Sequence, residues 1–299
     1  MAIATDIFKS TSTGAEYVDP EIWDKQIEQV ARQKNVMLQL GVENTTLLGK
    51  PGKQINIAKN HAFVASDLTE GVQTPVSAID FDQVTITVKE VGLAKQVSQL
   101  QLDYEFETVI NDVIRNMGLA VAEKLDADII SECVSGAGHS VYPNGHDSSS
   151  VDAGDVLDYD TLLSARKALR SSNRTPLYLV INPDQEMELY QIKDPAGRYI
   201  FVDSSISGNR ELLNGQIGTI LGMKVFVSTR IPSATENTSV TVYKALMLGE
   251  RPFAVAWKRK PQLKYKEDSI LDRAVTFTVT ATYGVKVLNP ESIVVITTA

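Results

Sequence analysis

The chain has 299 residues, 43% of them hydrophobic, so it can bury a sizeable core as one large domain or two smaller ones. Lys and Arg number 29 against 37 Asp and Glu, and the net charge of −8 excludes a protein that coats nucleic acid by general electrostatic attraction. Apolar runs such as Leu177 to Ile181 and Ile293 to Ile296 are too short to cross a bilayer, and Cys133 alone cannot form an internal disulfide. The first residues carry neither a basic leader nor a continuous apolar stretch, so the chain is expected to stay in the cytoplasm where it is made.

In chain order, the first 50 residues read as an extended arm carrying one helix, because Ile22, Trp23, Ile27, Val30 and Ala31 recur at helical spacing. Residues 55 to 65 have strand character, and Val84, Ile86 and Val88 alternate with Thr85, Thr87 and Lys89 in the period of a half-buried strand. The spacing predicts a long hairpin whose tip, residues 66 to 80, is marked as a loop by Gly71 and Pro75. Two strands alone are marginal in water. No third strand is evident in the following sequence, so the apolar face of the hairpin is expected to rest on a neighbouring subunit.

From Asp103, a candidate N-cap, to about Cys133, the residues Phe106, Val109, Ile110, Val113, Met117, Val121, Leu125 and Ile129 keep a 3.6-residue period. This predicts a helix of roughly 30 residues, well above the usual globular length. The turn-rich run 135 to 150 ends it as an exposed loop or domain junction. A mixed region follows, with helices at 160 to 170 and 183 to 192, and strands at 177 to 181, 217 to 220, 224 to 228 and 242 to 248. Finally Val275, Phe277, Val279, Ala281, Tyr283, Val285 and Val287 alternate with Thr276, Thr278, Thr280, Thr282, Gly284, Lys286 and Leu288, the most regular strand pattern in the chain.

No pattern in the sequence supplies catalysis or cofactor binding. His61, His139 and His146 are scattered and Cys133 stands alone, so no metal site is expected. The run 215 to 222, GQIGTILG, lacks the spacing of phosphate or dinucleotide loops and reads as turns between short strands. Ser164 and Lys167 match S-x-x-K without the motifs that accompany it in hydrolases. The run 257 to 266, WKRKPQLKYK, concentrates Lys258, Arg259 and Lys260 in an acidic chain. Two roles compete for it, a local DNA contact and a subunit contact with acidic groups, and the surrounding excess of Asp and Glu favours the second.

The order of arm, long hairpin, very long helix, mixed domain and long returning strand resembles the major capsid proteins of tailed double-stranded DNA phages. So do the segments PEIW at 20 to 23, LTEGVQTP at 68 to 75, LVINPDQEMEL at 179 to 189, KDPAGRYIF at 193 to 201 and LGMKVFVSTRIP at 221 to 232, in that order. The resemblance implies an α+β fold of the Hong Kong type. Its parts would be an N-terminal arm at 1–49, an extended loop at 50–97, a peripheral domain with the spine helix at 98–154 and 258–299, and an axial domain at 155–257. It also implies a noncatalytic subunit without cofactors, assembled in the host cytoplasm with copies of itself into hexamers and pentamers of an icosahedral virion capsid. Scaffolding, portal and decoration proteins are further implied partners, and contact with packaged DNA would be weak and local. Candidate subunit contacts are Trp23, Leu68, Glu70, Gly71, Pro75, Lys258, Arg259 and Lys260. Some family members crosslink a loop lysine to an asparagine; Lys50, Lys53, Lys59 and Asn289 lie in the corresponding regions, but no residue pattern specifies the carboxylate that this chemistry needs. The same fold serves bacterial encapsulin compartments, a second reading; a cytoplasmic α/β enzyme is a third.

Overall fold

The computed structural model describes residues 35–60, 67, 81–193, 197, 199, 201–203, 216–237, 240–268 and 274–299. The expected arm helix and, Asp67 aside, the hairpin tip lie outside these residues. Among them the chain runs β1 (Val42–Asn44), β2 (Gln54–Asn60), β3 (Phe81–Thr87), β4 (Lys89–Ser98), α1 (Gln99–Ser135), β5 (His139–Val141), α2 (Tyr159–Ser171), β6 (Tyr178–Ile181), α3 (Pro183–Gln191), β7 (Val202–Asp203), β8 (Gln216–Ile220), β9 (Met223–Val227), β10 (Ser233–Glu236), β11 (Val240–Leu248), β12 (Phe253–Asp268), β13 (Ala274–Val287) and β14 (Ile293–Thr298).

The 3.6-residue period becomes α1, whose 37 residues span about 55 Å. The helix begins at Gln99, so Asp103 lies inside it and is not its cap. Ile114, Met117, Val121, Leu125, Ile129, Ile130 and Cys133 are buried along one stripe, in one cluster with Phe277, Val279, Ala281 and Tyr283 of β13. Polar ties fix the helix on the sheet. The Asp128 carboxylate accepts from Lys89 Nζ at 2.9 Å, Lys124 Nζ at 3.0 Å and the Tyr283 hydroxyl at 2.8 Å, and Lys286 pairs with Glu132 at 2.7 Å. Among the described residues no helix is long and apolar enough to cross a membrane.

Two larger sheets flank this helix. The first has the order β1-β12-β13-β4, with β12, β13 and β4 antiparallel and β1 parallel to β12. Strand β4 was not anticipated. Val91, Leu93 and Val97 do alternate toward the core, but Gly92 and Lys95 blur the pattern in sequence. The second sheet has the order β5-β14-β11-β6-β9-β8-β7, with β10 beside β11. Alternate residues of its central strands face opposite cores: Leu179, Val225, Met247 and Val294 pack in the cluster with Leu162, Ala165 and Leu169 of α2, whereas Val180, Phe226, Leu246 and Val295 join the cluster of α1. A sheet covered on both faces needs apolar side chains on both, which is why these strands read as unbroken apolar runs.

Helix starts follow their side-chain caps. Asp158 accepts from the Thr161 amide at 2.9 Å at the head of α2, and Asn182, Pro183 and Gln185 form a capping box with N1 proline on α3. The run 215 to 222 does contain a turn between strands, with Leu221 and Gly222 at positive φ joining β8 to β9. Run 135 to 150 holds the short strand β5 rather than loop alone. Strand β14 lies in the second sheet, antiparallel to β11 and parallel to β5.

The third sheet is the hairpin base, β2 antiparallel to β3 with Ile55 opposite Ile86 and Ile57 opposite Val84. Its apolar face has a partner within its own chain, contrary to expectation. Ile86 is fully buried in one cluster with Ala254, Ala256 and Leu288, and Ile55, Ile57, Val84 and Val88 pack around it. The small residues Ala254 and Ala256 of β12 leave room for these side chains.

Candidate subunit interface

Of the eight expected contact residues, Trp23, Leu68, Glu70, Gly71 and Pro75 lie outside the described residues. Lys258, Arg259 and Lys260 stand on β12 where its pairing with β13 slips, between Trp257 and Arg259 and again between Arg259 and Gln262. Such irregularities re-aim side chains. Here the slip ends a stretch, Phe253 to Trp257, buried on both faces, and begins one in which Gln262, Lys264 and Lys266 are exposed and Leu263 stays in the core. Strand β1 covers β12 only at Ala254 to Ala256, so among the described residues the segment from Trp257 onward pairs on one side alone. Lysines and Pro261 on such a margin discourage uncontrolled strand addition.

Beside the slip lies a groove of about 680 Å³ lined by Gly49, Lys50, Pro51, Lys53, Val88, Glu90, Lys258, Arg259 and Thr282. Sequence order separates its walls by some 200 residues, and the hairpin base seated on β12 brings them together. The Lys258 ammonium donates to the Gly52 carbonyl oxygen at 2.5 Å, which ties the turn before β2 to the bulged strand. Arg259 stands 3.9 Å from Glu90, both largely exposed. Four cationic side chains therefore face one carboxylate in a chain of net charge −8. The groove offers ammonium and guanidinium donors to carboxylates or phosphates, with Glu90 the one carboxylate in its lining. Glu90 was not singled out from sequence, and Lys50 and Lys53 were named there only as crosslinking candidates, since only the fold shows that they meet the basic run.

His146 meets two carboxylates from the following loop. His146 Nδ1 lies 2.7 Å from Asp155 Oδ2, and one ligand atom from each of His146, Asp152 and Asp155 falls within 4.8 Å of the others. The Asp155 carboxylate is already occupied, accepting from Asn144 Nδ2 at 2.9 Å and from the Asp152 amide at 3.0 Å, and its backbone carbonyl accepts from the Ala299 amide at 2.9 Å. The group acts as a staple holding residues 144–155 to the chain end. Its hydrogen bond to Asp155 raises the His146 pKa. For Asp155, burial pushes the pKa up, but the bonds from His146, Asp152 and Asn144 outweigh it and hold the carboxyl below its usual range. Ser164 and Lys167 are both exposed on α2, and the Asn289 amide donates to the Arg251 carbonyl oxygen at 3.1 Å.

One very long helix buried along one stripe, a long-stranded sheet behind it and a second sheet walled by two short helices make a mixed α+β fold. Solved structures share it. The chain is similar to a structure of Mycobacterium phage Che8 at 20% identity, with a TM-score of 0.63 over 88% of this chain and 91% of that one. It is similar to the capsid of Ralstonia phage GP4 at 13% identity and a TM-score of 0.68, covering 87% of each chain. With the Cyanophage Pam1 capsid asymmetric unit the identity is 14% and the TM-score 0.64, over 87% of this chain and 88% of the other. No curated protein matches the sequence. The model of the phage capsid protein family matches residues 82–296, more than half of the chain, and the chain belongs to that family. It is a structural capsid shell protein with the fold expected from the resemblance.

Proposed function

We propose that this chain assembles with copies of itself into hexamers and pentamers of an icosahedral shell around double-stranded DNA, in the host cytoplasm, without catalysing a reaction. The observation that carries the reading is the basic groove at the hairpin base, where two cationic side chains on β12 and two on the turn before β2 gather in an acidic protein. Residues 61 to 80 supply the complement: Asp67, Glu70 and Asp80 with no Lys or Arg. Lys258, Arg259 and Lys260 are the body side of a subunit contact, and Leu68, Glu70, Gly71 and Pro75 belong to a loop that reaches an adjacent copy. Trp23 in the arm is a second contact. Many such modest interfaces repeated by symmetry sum to a stable shell. The parts act as arm (1–49), extended loop (50–97), peripheral domain (98–154 and 258–299, with the last strand crossing to the other sheet) and axial domain (155–257). Scaffolding, portal and decoration proteins are further partners, and DNA is touched only weakly.

The test is deletion of residues 66 to 78 in the full chain, followed by size-exclusion chromatography and negative-stain microscopy. Folded subunits or capsomers without closed particles are expected. Normal particles from the deletion would overturn the loop's role, and a wild-type chain that forms no shell with or without accessory proteins would overturn the shell itself.

A further inference from the structure

One buried carboxylate is explained neither by the core nor by the groove. Asp126 sits in the middle of α1 between Leu125 and the buried pair Ile129 and Ile130, and is itself only 5% exposed. An apolar residue would be ordinary there, since a charge taken out of water is unfavourable unless its hydrogen bonds are met. The bonds of Asp126 are met from far away in sequence. Its Oδ2 accepts from the Val36 amide at 3.0 Å and its Oδ1 from the Met37 amide at 3.3 Å.

These two amides lie ahead of the first described strand, β1, and no strand pairing takes them. Met37, Leu38 and Leu40 plug the same core cluster as Ile129, Ile130 and Cys133, which anchors the side chains of the segment but not its backbone. Beside them Asn35 is buried at 5% exposure with its Oδ1 lacking a hydrogen-bond partner, an unfavourable feature that the docked segment must offset. A cleft of about 390 Å³, lined by Val36, Leu119, Glu123, Asp126 and residues 227 to 230, opens next to the carboxylate. Across it, Arg230, just after β9, pairs with Glu123 at 2.5 Å, one turn of α1 away from Asp126.

We propose that Asp126 is a positioning residue for the N-terminal segment: its carboxylate fastens the backbone at residues 36 and 37 to α1 and so sets where residues 1–34 leave the body. The fastening lies one turn of α1 from the exposed Glu123–Arg230 pair, which links the same helix to the residues just after β9. The consequence for assembly rests on the reading of residues 1–49 as an intersubunit arm; the fastening itself does not.

Hydrogen exchange by mass spectrometry on the full chain tests it, comparing wild type with Asp126→Ala and Asp126→Asn. In D126A, peptides covering residues 35–40 are expected to exchange at least tenfold faster, while peptides covering 125–135 and 275–287 keep wild-type protection. D126N, which keeps one acceptor oxygen, should fall between the two. Unchanged protection at 35–40 in both variants overturns the proposal. So does a D126N whose protection falls equally in 125–135 and 275–287, because that makes Asp126 a general core residue; this arm holds even if D126A fails to fold. Particle counts on the same samples separate the two readings. Wild-type particles with an unaltered root in D126A and D126N count against the fastening, and a wild-type chain that never forms particles counts against the shell.

Discussion

Gly284 decides whether the hairpin is held by its own chain. It lies in β13 opposite Ala256 of β12, one residue past Tyr283 and Lys89, where the pairing of β13 with β4 stops and the chain crosses to β3. A Cβ placed on Gly284 would lie 2.5 Å from the Thr87 carbonyl oxygen, 2.9 Å from its carbon and 3.0 Å from Ile86 Cγ2. Two of these atoms are backbone, so relief requires the whole of β3 to retreat by on the order of 1 Å. That retreat would lift the fully buried Ile86 from Ala254 and Ala256. Overpacking of this kind costs about 1–3 kcal/mol, whereas replacing glycine by alanine within a strand returns about 0.5–1 kcal/mol where nothing clashes. Gly284→Ala is therefore expected to destabilise by about 1–2 kcal/mol, a fall in Tm of a few degrees, with exchange protection lost first in residues 54–60 and 81–87. Calorimetry and hydrogen exchange on the purified chain measure both. A Tm that rises, or a hairpin base that keeps its protection, would refute the seating of β3 on β13, because only that contact turns the sign against alanine.

Three further outcomes follow from named residues. Burial raises the Asp126 pKa from 3.8 to about 6, against the opposing pull of the Val36 and Met37 amides and of Arg230. A raised folded-state pKa gives a contribution fully present below about pH 3.8 and lost as pH rises through 6; the stability of wild type relative to D126N should thus drop by on the order of 3 kcal/mol between pH 4 and 7, and a flat difference would contradict the burial argument. Reversing charge at two exposed groove residues with K53E and R259E together should lower closed-particle yield at least tenfold under the microscope while Tm moves little, since exposed substitutions usually stay within about 0.5 kcal/mol; unchanged yield would remove the groove from the interface. Val294 is fully buried in β14 between β5 and β11, so Val294→Asp places an unpaired charge inside the second sheet and should abolish soluble folded protein; a stable, soluble variant would mean the strand is not central.

The elements that sequence determines are those whose signal is local. The stripe from Val113 to Ile129 repeats with the helix period whatever it packs against, and the alternation from Val275 to Val287 is fixed by the pleat, so both α1 and β13 are legible before any partner is known. Asp158 and Asn182 mark their helix starts through bonds to amides two or three residues away, and Pro183 through its fixed φ at the first helical position. The family is legible for a related reason, since the order of such elements along the chain is itself a sequence property. Partnership is not. Strand β14 carries the same apolar run wherever it lies, and only closure of the chain over long separations inserts it beside β11 and β5. The hairpin base reads as unpartnered because its seat, Ala254 and Ala256, follows some 170 residues later as two small residues without any signal of their own. Asp126 and Gly284 look like interruptions of an apolar helix and a regular strand; each becomes intelligible only when the tertiary structure brings Val36, Met37 and Thr87 against it. Local periodicity fixes which face of an element is buried, and the choice of what buries it belongs to contacts that no window of sequence contains.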